Sequence, residues 1–85
     1  MKVELDGNFT IDIDDWKLDD YELVEALTDV DRGIVSRLTD AVNILLGESK
    51  PELFEHIREK KGYVSTEEIK NALLQIIGGL KNGKK

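Results

Sequence analysis

Near the C-terminal end of this chain, apolar side chains recur at intervals of three and four residues: Ile69, Ala72, Leu73, Ile76, Ile77 and Leu80. That spacing lines one stripe of a 3.6-residue helix and fits no strand, whose side chains alternate with period two. One apolar stripe must be covered, so the rest of the chain has to supply the cover. The spacing predicts a helix over about Thr66–Ile77. Gly78-Gly79 is expected to stop or loosen it, leaving residues 81–85 as a mobile basic tail.

The remaining segments read as partners for that stripe. KVEL (2–5) and FTIDI (9–13) alternate apolar and polar around Asp6-Gly7, which is the strongest short-range signal for a β-hairpin. Val3, Leu5, Phe9, Ile11 and Ile13 would share one face that needs a helix over it. Asp19 with Glu22 predicts a first helix whose stripe is Leu23, Val24, Leu27 and Val30, with Leu18 stapling onto Leu23. After Gly33, a second helix is expected from Ile34, with Ile34, Val35, Leu38, Ala41, Val42 and Leu45 inward and Gly47 closing it. Ser49 and Glu52 form a capping box for a third, over about Pro51–Lys60, with Leu53, Phe54 and Ile57 inward and Gly62 at its end. The expected fold is mainly α: a small bundle of about four helices with an N-terminal β-hairpin, one domain over residues 1–80.

A chain of 85 residues buries one modest core and is stable only by a small margin. It has no cysteine, which removes disulfides and thiolate metal sites and suits a reducing cytosol. No stretch approaches the roughly 18 apolar residues of a membrane span, and MKVELDGNF lacks the apolar core of a signal peptide. The expectation is a soluble intracellular protein. Its net charge of −6 is uneven: residues 1–31 carry eleven acids against two bases, and residues 32–85 carry seven acids against ten bases. An acidic front disfavours nucleic acid and anionic lipid, both polyanions, and favours a basic protein partner or plain solubility.

Catalytic and metal-binding patterns are weak. KGYVSTEEI (61–69) looks like the second half of an EF-hand loop, but the first half would place ligands on Ile57, Glu59 and Lys61. Ile57 offers no oxygen and Lys61 brings a positive charge. The segment reads better as a capping box of Ser65 and Glu68 with Val64 and Ile69 as the staple. His56 is the only histidine and Ser36, Ser49 and Ser65 look like surface or cap residues, so no nucleophile–base set forms. Gly78-Gly79 follows a helix, whereas a phosphate cradle precedes one. No cofactor, metal or catalytic residue is expected, and the protein is read as a non-enzyme.

The run DIDDWKLDD gathers Asp12, Asp14, Asp15, Asp19 and Asp20 around Trp16. Its spacing matches no calcium loop. Trp16 has two readings, a lid over the hairpin's apolar face or an aromatic contact rimmed by carboxylates that recognises a partner. On the second reading the partner-binding residues are Asp14, Asp15, Trp16, Asp19 and Asp20.

The order of elements also carries a resemblance. Glu22, Leu23, Glu25 and Leu27 give an E-L-x-E-x-L helix, and Leu45, Leu46 and Gly47 a central LLG. Leu53, Glu55, His56, Ile57 and Arg58 then give L-x-E-H-I-R, and Gly62, Val64, Glu67 and Ile69 give G-x-V-x-x-E-x-I. In this layout, over about residues 13–80, the chain resembles the small tail assembly chaperones of long-tailed bacteriophages of Gram-positive hosts. The resemblance implies a protein of the bacterial host's cytoplasm that coats the tape measure protein, keeps it soluble and helps recruit tail tube subunits. It implies no catalysis and is compatible with self-association. It also implies a longer product from ribosomal slippage near the gene's end, and Leu80-Lys81-Asn82 and Gly83-Lys84-Lys85 both admit slippery codons. The alternative is a small acidic adaptor or inhibitor acting by protein–protein contact, including a mimic of DNA charge.

Overall fold

The computed structural model describes residues 1–5 and 8–82, the last by its backbone only. The Asp6-Gly7 turn and residues 83–85 of the expected tail lie outside the described residues. Strands β1 (Lys2–Leu5) and β2 (Phe9–Asp12) pair antiparallel, with Val3 opposite Ile11 and Leu5 opposite Phe9. The ladder is extended by the Ile13 N–H, which donates to Met1 O at 2.9 Å. The expected alternation holds: Val3, Leu5, Ile11 and Ile13 are buried, and the polar residues between them face water.

A 3-10 turn over Asp15–Asp19 leads into helix α1 (Tyr21–Asp31). The cap is one residue later than the sequence suggested. Asp20 Oδ1 accepts from the Glu22 N–H at 3.0 Å, because Asp19 is still inside the 3-10 turn and Asp20 is the first extended residue. Helix α1 ends at Gly33, whose φ of +94° lets its N–H reach Val30 O while the Ile34 N–H reaches Asp29 O. These are the two bonds of a Schellman ending.

That ending delays α2, which runs Arg37–Leu46 rather than from Ile34. Ile34 and Val35 were expected inward; they sit in the intervening turn and are exposed. Leu38, Ala41, Val42, Leu45 and Leu46 are buried. Arg37 joins the two helices, its guanidinium held by Asp29 of α1 at 2.8 Å and by Asp40 of its own helix. These two carboxylates push the Arg37 pKa further up.

Helix α3 (Lys50–Lys61) follows a second 3-10 turn, Gly47–Ser49, and ends on left-handed Gly62. The capping box expected at Ser49 is absent. The serine backbone is already in the right-handed helical region, and its hydroxyl donates to Asp12 O at 2.9 Å, tying α3 to the end of β2. Half of the box at Ser65 forms: the Glu68 N–H donates to Ser65 Oγ at 3.3 Å, while the Glu68 carboxylate turns to Lys60 Nζ at 3.0 Å and not back to the Ser65 N–H. This N-cap opens α4 (Thr66–Asn82), which passes through Gly78-Gly79 without a break. Lys81 and Asn82 therefore belong to a helix and not to a tail.

The bundle is two layers deep, 19 Å in its thinnest direction, about two helix diameters. Helix α4 lies along β1 and α3 along β2, with α1 and α2 packed on each other. One cluster unites the layers, including Ile11, Leu23, Leu45, Leu53, Ile57, Ile76 and Leu80, all nearly inaccessible to water. His56 is half-buried and stacks on Phe9 with ring centroids 4.1 Å apart and planes 8° from parallel.

Candidate partner-binding surface

The five residues singled out in the acidic run occupy one short stretch, the 3-10 turn and its two flanks. Trp16 is 57% exposed, so it does not serve as a lid on the hairpin, whose apolar face is covered by α3 and α4. Asp14, Asp15 and Asp19 are exposed around it, whereas half-buried Asp20 is committed to capping α1. The turn is anchored by Lys17. Its ammonium donates to Ile44 O at 2.8 Å and lies 4.9 Å from the Trp16 ring centroid. Ile44 is in the last turn of α2, where carbonyls lack helical partners and a cation is favoured. The acidic turn is thus pinned by its one base, with the indole left facing solvent.

Asp12 has a different role. The N-terminal ammonium donates to its Oδ1 at 3.0 Å, and this hydrogen bond, with the ammonium's charge, lowers the Asp12 pKa. Among the described residues no three His, Cys, Asp or Glu side chains are placed to hold a metal ion. No helix of the described residues is long and apolar enough to cross a membrane.

A larger surface feature lies between α1 and α4. Leu18, Val24, Leu27 and Val30 line one side, Leu73, Leu74 and Ile77 the other, and buried Leu38 of α2 completes an open groove of about 690 Å³. Leu74 is 69% exposed and Val24 44%, so the groove's lips are apolar and wet. Lys70, Lys81, Thr28 and Asp31 form the polar part of the lining. Leu18 is in the acidic turn, so that turn and the groove are continuous.

No protein-family model, no curated protein and no solved structure matches the chain. The surface therefore has to be read from its own chemistry.

The groove was missed in the sequence for a specific reason. Periodicity places Val24 on the inward stripe of α1, but the buried positions are Leu23 and Ala26, and Val24 turns to the groove's edge. Leu74 fell outside the α4 stripe and had no role. The signal was nonetheless present: Lys70, Leu74, Ile77 and Lys81 recur at helical spacing beside the core stripe, a second face with two apolar residues between two bases. What the arrangement can do chemically is bind. Exposed apolar residues along two helices, rimmed by charge, have the chemistry that can accept a further amphipathic helix.

Proposed function

We propose that the protein acts by protein–protein contact and not by catalysis, as a tail assembly chaperone that holds a tape measure protein in solution in the bacterial host's cytoplasm and assists assembly of tail tube subunits around it. The observation that carries this reading is the exposed apolar groove between α1 and α4. A tape measure protein is a long helical chain, and helices with an apolar stripe are the natural ligands of such grooves. A small domain gains nothing in stability by leaving Leu74 and Val24 in water, and patches of this kind mark interaction sites. The resemblance in the E-L-x-E-x-L, LLG, L-x-E-H-I-R and G-x-V-x-x-E-x-I segments supplies the identity of the partner.

One observation favours a second reading, an acidic adaptor or inhibitor. Trp16 stands exposed among Asp14, Asp15 and Asp19, and an exposed indole beside carboxylates is a good anchor for a basic protein surface. Mimicry of DNA is less well supported, because these carboxylates crowd one turn and do not extend along a face.

Co-expression separates the two. The chaperone reading expects a tape measure protein to be encoded beside this gene, to aggregate alone, and to stay soluble in stoichiometric complex when this protein is present. A tape measure protein equally insoluble in both conditions would remove the chaperone reading and leave the adaptor.

A further inference from the structure

We infer that the α1–α4 groove selects an amphipathic helix of particular charge pattern: carboxylates about three turns apart along one edge, with an apolar stripe between them. The inference rests on the reading that the groove is the partner-binding surface, and it specifies the chemistry of the occupant.

The pattern comes from α4. At about 100° per residue, Lys70, Leu74, Ile77 and Lys81 fall within about 60° of one another around the helix axis. They form a single row in which two apolar side chains lie between two ammonium groups. Eleven positions separate the lysines, which is close to three turns and about 16 Å. Among the described residues neither Lys70 nor Lys81 has an ion-pair partner, whereas Arg37, Arg58 and Lys60 each hold a carboxylate. A helix laid parallel to α4 places residues of its own at the same pitch. Carboxylates eleven positions apart therefore meet both lysines while the residues between them rest on Leu74 and Ile77. On the opposite lip Asp31 of α1 favours a base on the occupant's other edge.

Charge also speaks against a second copy of this chain as the occupant. Pairing two α4 rows about a twofold axis sets lysines against lysines. A foreign helix with acidic edges meets no such repulsion in the groove. The net charge of −6 slows its approach, so discrimination has to come from the two lysines at close range.

The test uses the full chain and fluorescently labelled amphipathic peptides about five turns long. One carries Glu at two positions eleven apart beside a Leu stripe, and the other carries Lys at the same positions. Wild type should bind the Glu peptide several-fold more tightly than the Lys peptide, and the Lys70→Glu/Lys81→Glu variant should reverse that order. Equal affinities, an unreversed order or no binding of either peptide overturns the inference. So does a dimer of the protein alone in sedimentation that Leu74→Glu dissociates, because a second copy would then fill the groove. The underlying reading fails differently: if Leu74→Glu still retains the tape measure protein, the groove is not the contact. If Leu74→Glu loses it while the double charge variant keeps it, only the charge rule is wrong.

Discussion

Gly79 of α4 lies so close to Val3 of β1 that a Cβ on Gly79 would fall 2.7 Å from Val3 Cγ1. This approach is what lets the longest helix sit directly on the hairpin. It explains a glycine pair that read as a helix stop: the second glycine is there for packing, since only a hydrogen fits beneath it. Gly78 faces no such neighbour, with nothing within 4 Å of a built Cβ.

The two glycines should therefore respond in opposite directions to alanine. Gly78→Ala should stabilise by about 0.5–1 kcal/mol through helix propensity. At Gly79 the same gain is opposed by a clash with a β-branched side chain that has little freedom to turn away, about 1–3 kcal/mol for an overpacked site. The net effect at Gly79 should be a loss. Urea denaturation of both variants checks this, and a Gly79→Ala variant as stable as Gly78→Ala would contradict the close approach.

Ser65 and Ser49 make a second contrasting pair. Ser65→Ala should cost about 0.5–2 kcal/mol through loss of the N-cap of α4. Ser49→Ala should cost less, about 0.5–1.5 kcal/mol for one hydrogen bond to Asp12 O, with α3 itself unaffected. The helical circular dichroism of folded Ser49→Ala should match wild type. In the same segment, millimolar calcium should leave the Gly62 amide resonance in place, because Gly62 serves as the helix ending and Ile57 is in the core.

Much of this fold was legible because its signals are local. The hairpin alternation, the Ser65 N-cap and the α4 stripe each depend on neighbours within a few residues, and each appears where expected. Apart from the late start of α2, which the Gly33 ending sets locally, the misplacements share one cause, which is competition from a contact distant in sequence. Ser49 looked like a cap but bonds 37 positions away to β2, and Gly79 looked like a stop but accommodates Val3. Asp19 lost the cap to Asp20 because the 3-10 turn, pinned by Lys17 on α2, runs one residue further than an extended lead-in would. The groove was hidden for a related reason. Periodicity distinguishes a core stripe from a polar face, but Leu74 and Val24 form a second apolar row whose meaning depends on α1 and α4 facing one another.

The acidic turn offers a test of whether Trp16 and its carboxylates contribute to binding. Charge reversal at Asp14, Asp15 and Asp19 should leave the fold intact, since all three are exposed, and should weaken capture of the proposed tape measure partner. Asp20 should be kept out of that variant. Asp20→Lys on its own should cost about 0.5–2 kcal/mol by removing the α1 cap, which would confuse a loss of binding with a loss of stability. Capture unchanged by the triple reversal would confine the contact to the groove.

The central claim is that the exposed groove holds the proposed tape measure partner, and the direct measurement is co-purification of that protein with Leu74→Glu. This side chain is 69% exposed, so the variant should keep the wild-type thermal midpoint within a few degrees. A carboxylate there sits in the middle of the apolar row and cannot be buried unpaired under a helix without a cost of several kcal/mol. The expected result is a folded protein that no longer brings the tape measure protein into the soluble fraction. A folded Leu74→Glu that retains the partner as well as wild type does would contradict the account.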